Sequence, residues 1–536
     1  MSAADPPESA PSASPAPYDS APATGFKRGP VILLGLLGAI QVADPLISSL
    51  ALVKASDELH FSASVQSLAA GISTLALAAT VIPGGLLADR LGRRNVLLVS
   101  ILVASVGQLL TAVSPDAATY LLGRVIAGVA LGVTFGAAYG MLREVSSPTA
   151  MGPAMALFNV VNGILPIVAM VLTGVLVAVN WRLAYLILPV VSVICFPFIP
   201  AILPKVRRLA GGSVDIAGLT LLAAGVAGVL FGLSNANAGV GHPTFWLPIL
   251  IGIIGFAGFA IVENRVAAPV FPVRLLAHPA FLGAVIMGVF WNFAAAGMSQ
   301  MLPNLFQYVT HLPTGVLGLA SLPMSLAGIA GSIAAGAAFG KGVLPRTMAL
   351  VGYGLMVVGF LSFLLVTPTA GYIIFVPGML LAGAGWMMNA TSQGNLFISL
   401  APAKFYGPVT SSKVTVGQFG YALGLTGTTV LVSMFTLRGV DSATNGAVTG
   451  EGNWNDITAY LESGTTTNTA LQSVSPADMA AIYTHAFQST SVIVAVVVAI
   501  AGVLMFLSLR SKKAGIPVDD FLAQPVQTSP PQKGQS

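Results

Sequence analysis

Two ionisable side chains stand where the sequence is otherwise almost free of charge. Asp44 lies inside the apolar run 31–53, and Arg124 lies inside the run 118–141. Charged residues are only 8% of the 536-residue chain, against 55% hydrophobic. A charge at the centre of a bilayer costs about 2.5–3.5 kcal/mol on insertion scales, so a residue that bears it there is rarely idle. Desolvation drives a carboxyl toward its neutral form and a neighbouring cation drives it back, so a carboxyl moved between two such settings can load and release a proton. Pro45 follows Asp44 and cannot donate to the carbonyl of Gln41, which loosens the helix beside the acid. Arg124 reads as the one cation deep in a span and as the natural partner of Asp44, because each charge offsets the cost of the other. The plainer alternative is a pair that only fixes helix packing.

These two side chains must be carried by membrane helices. Mean hydropathy is +0.87, more apolar surface than a soluble domain can bury. Apolar windows fall at 31–53, 66–88, 95–114, 118–141, 152–179, 183–204, 216–236, 246–263, 281–303, 315–339, 347–367, 371–392, 410–436 and 489–510. Each is near the length of about 20 residues that crosses a bilayer. The chain is therefore expected to be an all-α polytopic membrane protein of about fourteen helices, in two six-helix bundles with two additional central helices. The expected divisions are a disordered tail 1–29, a first bundle 30–204, an inserted pair with linkers 205–279, a second bundle 280–510 and a disordered tail 511–536. The polar gap 437–488 falls between the last two spans.

Basic residues place one end of this map inside the cell. Lys27, Arg28, Arg90, Arg93, Arg94, Arg143, Lys205, Arg265, Arg274, Lys341, Arg346 and Arg510 share one face, while Lys54, Arg182 and Arg438 fall on the other. The positive-inside rule then gives a plasma-membrane protein with cytoplasmic N- and C-termini. The start of the chain lacks the basic-then-apolar order of a signal peptide. The net charge of +5 is spread over many loops, so no nucleic-acid partner is expected. The one cysteine, Cys195, excludes an internal disulfide and a cysteine metal site. No cofactor or metal is expected. No G-x-x-x-x-G-K-[ST] phosphate loop or nucleophile–base cluster appears, which speaks against a primary pump and an enzyme.

The most ordered pattern is the charged hairpin Gly85-Leu86-Leu87-Ala88-Asp89-Arg90-Leu91-Gly92-Arg93-Arg94-Asn95-Val96-Leu97. It resembles the signature loop between helices 2 and 3 of the major facilitator superfamily, G-x-L-a-D-r-x-G-r-k-x-x-l. Ala43-Asp44-Pro45-Leu46-Ile47-Ser48-Ser49-Leu50-Ala51-Leu52 is similar to the helix-1 pattern of its fourteen-helix drug:proton antiporter branch. Arg124-Val125-Ile126-Ala127-Gly128 looks like the helix-4 motif R-x-x-q-G, with Ala127 in place of the glutamine. Of the helix-5 antiporter signature G-P-x-x-G-G, Leu165–Met170 keeps only Pro166. A second hairpin, Gly340–Arg346, stands in the later half where 85–97 stands in the first, as an internal repeat would have it.

The resemblance implies a proton-coupled secondary transporter that exports lipophilic or cationic small molecules by alternating access, as a monomer. It implies proton coupling for Asp44 and Arg124 and a conformational latch for Gly85, Asp89, Arg90, Gly92, Arg93 and Arg94. Asp89 is expected to meet the start of the thirteenth span, Pro408–Ser412, because a helix N-terminus favours an anion. Asn162, Trp291, Asn292, Gln300, Asn389 and Gln418 are candidates to line a substrate cavity, although most such amides bond between helices. Two other functions compete: transport of one endogenous metabolite, and a membrane sensor on the same fold that moves nothing.

Overall fold

The computed structural model describes residues 25–61, 63–205, 215–235, 242–266, 271–312, 316–369, 371–402, 405–448 and 454–523. Among these, fourteen helical segments are long and apolar enough to cross a membrane. They are α1 (Arg28–Glu58), α2 (Ala63–Leu91), α3 (Arg93–Ala112), α4 (Ala117–Met141), α5 (Met151–Val179) and α6, whose short pieces share Trp181–Ile202. The central pair is α7 (Ile216–Ser234) and α8 (Pro243–Glu263). The second half holds α9 (Pro279–Tyr308), α10 (Leu322–Gly340), α11 (Pro345–Ser362), α12 (Val376–Ser399), α13 (Tyr406–Ala443) and α14 (Pro476–Arg510).

Close helix approach builds each half. Gly128, Gly132 and Gly136 of α4 form a smooth stripe against α2. A Cβ added at Gly128 would lie 2.3 Å from the Ser73 carbonyl oxygen, and one at Gly132 would lie 2.6 Å from that of Leu77. The same device joins α13 to α9. There a Cβ at Gly420 or Gly424 would come within 2.1 Å of the carbonyl oxygens of Val289 and Phe293. In lipid the gain comes from dispersion contact between backbones, so small residues occupy these crossings. The two charged hairpins turn on glycines in the left-handed region, Gly92 at φ 92° and Gly342 at φ 81°. They hold corresponding places between the second and third helices of each half.

The halves meet along α2 with α13 and α5 with α10, and α7 packs on both α2 and α13. Polar contacts across this seam gather toward the end with the basic hairpins. Asn159 of α5 donates to Thr391 of α12 at 2.9 Å, and Ser332 of α10 donates to the Ala156 carbonyl of α5 at 3.5 Å. Arg143 donates to the Ala401 carbonyl at 3.4 Å. The Phe339 side chain leaves no room for a Cβ at Gly152.

The helix ends depart from the sequence reading in three places. α13 runs on to Ala443 and α14 begins at Pro476, so the polar stretch between them is shorter than the gap 437–488. It contains a short helix, Trp454–Ser463, whose Tyr460 hydroxyl donates to the Val474 carbonyl. The expected disordered tail 511–536 starts with ordered residues. Arg274 donates to the Leu522 carbonyl, and the His278 ring stacks edge-on against Phe521. At the other terminus, residues 25–27 pair with 145–147. Residues 1–24 and 524–536 of the two expected tails lie outside the described residues.

At the end opposite the basic hairpins, Glu58 ties α1 to α6. It accepts from Trp181 Nε1 at 2.6 Å and from Arg182 Nη2 at 2.8 Å. Arg182 also donates to the carbonyls of Ala112 and Ser114. The Trp181 hydrogen bond, followed by that from Arg182, holds the Glu58 carboxyl below its ordinary value of 4.5. A depressed folded value means that the bond stabilises the fold at neutral pH and that this contribution fades as the acid is protonated. Between neutral pH and about pH 4, the thermal midpoint of the detergent-solubilised wild type should therefore fall further than that of Glu58→Gln. Equal falls would remove the assignment.

Candidate functional site

The residues singled out at the start of the chain meet. Arg124 Nη1 and Nη2 donate to Asp44 Oδ1 and Oδ2 at 2.7 and 2.8 Å, a bidentate pair. Asp44 is 2% exposed and Arg124 1%. Two further donors reach the same carboxylate: Ser73 Oγ at 2.7 Å and Gln108 Nε2 at 2.5 Å. Above the guanidinium lies the ring of Tyr185, 5.4 Å away. The Tyr185 hydroxyl bonds to that of Tyr120 at 2.5 Å and donates to Ser48 at 3.4 Å. Asp44 thus ties α1 to α2, α3 and α4, and Tyr185 brings in α6. Four donors around one carboxyl suit the ionised form, which only accepts. α1 runs helically through Pro45, whose missing N–H falls within one turn of Asp44.

Ser73, Gln108 and Tyr185 were not among the sequence candidates. Each is an uncharged polar residue in a long apolar run, and many such residues in this chain simply bond to a carbonyl of their own helix. Their one distinguishing feature is that they converge on the pair, which spacing along one helix does not show.

The hairpin carries a second buried pair. Arg93 donates from Nε and Nη2 to Asp89 Oδ1 at 2.8 and 2.6 Å, and both side chains are buried. Arg93 also bonds to the carbonyl of Gly140 at the end of α4. Its guanidinium lies 4.9 Å from the ring of Tyr406, the first residue of α13, and Arg143 approaches that ring to the same distance. Through Arg93, the Asp89 carboxylate is joined to Tyr406, just before the stretch Pro408–Ser412 expected to meet it. Arg94 donates to the Pro200 carbonyl at the end of α6, and Arg90 is partly buried. Gly85 and Gly136 are in contact where Ser411 of α13 approaches.

The polar residues expected around a cavity are scattered. Trp291 donates to Gln393 Oε1 at 3.0 Å and stacks on Trp386 with centroids 6.3 Å apart. Asn292 bonds back to the Gly288 carbonyl of its own helix. Asn389 is fully buried, bonds to the Gly385 carbonyl and faces Met356 and Gly352 of α11, so it serves packing inside the second half. Asn162 abuts Gly38 of α1, while Gln300 and Gln418 are partly buried. One cation escaped the sequence reading. Lys413 lies near the start of the span Pro408–Ala443, partly buried, with its ammonium 5.1 Å from the centre of the Tyr139 ring.

The sequence model of the Major Facilitator Superfamily matches residues 32–425. The chain belongs to this superfamily. Among curated relatives, the puromycin resistance protein pur8 of Streptomyces alboniger is 26% identical over 404 residues, 72% of this chain and 78% of that one. The multidrug resistance protein B homolog of Mycobacterium tuberculosis strain CDC 1551 is 27% identical over 335 residues, 61% of this chain and 62% of its own length. Among solved structures, the proton:xylose symporter XylE bound to 6-bromo-6-deoxy-D-glucose superposes with a TM-score of 0.53 at 12% identity. The match covers 87% of this chain and 94% of XylE. That likeness is one of fold. The superfamily fold, with two six-helix halves and an inserted pair, is thus the one the hairpin signature led us to expect.

Removing one member of a buried pair strands the other, at a cost of about 3–5 kcal/mol. Arg124→Ala should therefore lower the unfolding midpoint of the purified protein strongly. The double variant Asp44→Asn/Arg124→Gln should recover much of the loss. A double variant no more stable than Arg124→Ala would show that the pair is not coupled.

Proposed function

We propose that this major facilitator exports lipophilic small molecules from the cell in exchange for protons, with Asp44 as the proton carrier. The bidentate pair between Asp44 and Arg124 carries the proposal. A proton that settles on Asp44 removes the charge that Arg124 and its companions hold. The guanidinium is then a buried cation without its counter-ion, a state that favours rearrangement of α1 against α4. Deprotonation restores the pair. Protonation and helix packing are thereby linked through one interaction, and that linkage is what a coupled transporter needs.

The basic end is assigned to the cytoplasm by the positive-inside rule. Both termini then face the cytoplasm in the plasma membrane. Seam contacts at that end, with Arg93 and Arg143 on Tyr406, support reading this conformation as closed to the cytoplasm. The moving units are the halves 30–204 and 280–510, acting within one monomer. Relatives named for puromycin resistance and multidrug resistance support export of foreign compounds. The driving force is adequate in size: one charge crossing 100 mV yields about 2.3 kcal/mol.

Purified protein in liposomes should lose pH-gradient-driven efflux by about tenfold or more in Asp44→Asn, while substrate binding persists. Undiminished coupling in that variant would discard the mechanism. For the latch, Asp89→Asn should free Arg93 and part the basic end. A cysteine placed at Val409 in a Cys195→Ser background should then react several-fold faster with a cytoplasmic thiol reagent. An unchanged rate would end the latch assignment.

A further inference from the structure

The charges in the seam are not balanced. Asp44 and Arg124 cancel each other inside the first half. Lys413 reaches across from α13 of the second half to Tyr139 of α4 in the first. Among the described residues, no carboxylate lies within ion-pair distance of its ammonium. A cation held between helices without a counter-ion is costly, and that cost falls when an anion arrives.

Its surroundings offer donors with nothing to accept their protons. The Tyr139 hydroxyl is buried without a partner, and so is Gln393 Nε2; both residues are 0% exposed. Tyr139 Oη abuts Gly394, where an added Cβ would lie 2.6 Å away, and Gly394 follows Gln393 on α12. The Gln393 amide in turn meets Gly288 beside Val416, which is one helical turn from Lys413 on α13. Gln393 Oε1 is already engaged by Trp291, whose ring stacks on Trp386. An ammonium on α13, a hydroxyl on α4 and an amide N–H on α12 thus lie on neighbouring helix turns, the amide beside an aromatic pair. Unpaired donors of this kind suit the oxygens of a carboxylate or sulfonate.

We infer that Lys413, with Tyr139 and Gln393, forms an acceptor site for the anionic group of an aromatic organic acid, which the transporter carries in preference to organic cations. The inference rests on the export reading and narrows its substrate class. The carboxylate inside the first half is already occupied by Arg124, Ser73 and Gln108, so the charge that this part of the seam offers a ligand is the Lys413 ammonium. The aromatic pair gives the flat part of the ligand its contact surface. Parting of the halves would draw Lys413 away from Tyr139 and change the site between the two states.

Two dyes with one ring skeleton and opposite charge test this: carboxyfluorescein and rhodamine 123. The full-length protein in liposomes should bind and move carboxyfluorescein in preference to rhodamine 123. Loss of a charge-assisted hydrogen bond should weaken carboxyfluorescein binding about tenfold or more in Lys413→Met. Lys413→Arg should retain most of it, Gln393→Leu should weaken it by a smaller factor, and rhodamine 123 should be unaffected or improved. Size-exclusion profiles and binding by the arginine variant keep misfolding apart from lost recognition. Equal carboxyfluorescein binding by Lys413→Met and wild type, a wild-type preference for rhodamine 123, or binding of neither dye would each overturn the assignment. Dye movement that depends on Lys413 but ignores a pH gradient would instead sink proton coupling and leave the charge preference standing.

Discussion

The hydrogen-bonded pair of Asp44 and Arg124 constrains the first half more than any other interaction. Neither side chain touches solvent, so each must be neutralised where it stands. The carboxylate takes both guanidinium nitrogens, a hydroxyl from α2 and an amide from α3. The guanidinium lies beneath Tyr185 of α6. Rotating any of these helices by a fraction of a turn would strand a charge in a medium that cannot solvate it. The ionised pair therefore fixes the rotation of these helices relative to one another.

Glycine faces make that geometry reachable. Gly128 brings α4 against the backbone of α2 at Ser73, the residue that donates to Asp44. The helix contact and the polar contact are thus one feature seen at two scales. Larger side chains at Gly128 or Gly132 would push α2 away and remove a donor from the carboxylate. Gly107 lets α3 approach α4 at Ala127 and so sets Gln108 beside the pair. The alanine that replaces the expected glutamine at position 127 is buried in that crossing.

The seam between the halves is built on different terms. Close apolar contacts such as Gly152 on Phe339 and Gly336 on Ala156 lie beside polar ones toward the basic end, and several of the latter join a cation to an aromatic ring: Arg93 and Arg143 on Tyr406, Lys413 on Tyr139. Each such cation–ring contact contributes on the order of 0.5–2 kcal/mol. Of the inserted pair, α7 bridges the seam from its flank by packing on α2 and α13, and α8 packs on α7.

The sequence by itself determined the number of spans, the duplicated hairpin, the inserted pair and the two charges most costly to bury. Hydropathy and charge are read locally, and a helix long enough to cross a bilayer announces itself. It could name Asp44 and Arg124 as partners because each is costly alone. Tertiary structure alone decided which neutral residues share that site, since Ser73 and Gln108 become donors only through the rotation of α2 and α3. It also placed Asn389 inside a packing face and Arg93 between Asp89 and Tyr406. Above all it set Lys413 across the seam, although its sequence window reads as one more span. Where a side chain points depends on every neighbouring helix at once, and no pattern along a single helix records that.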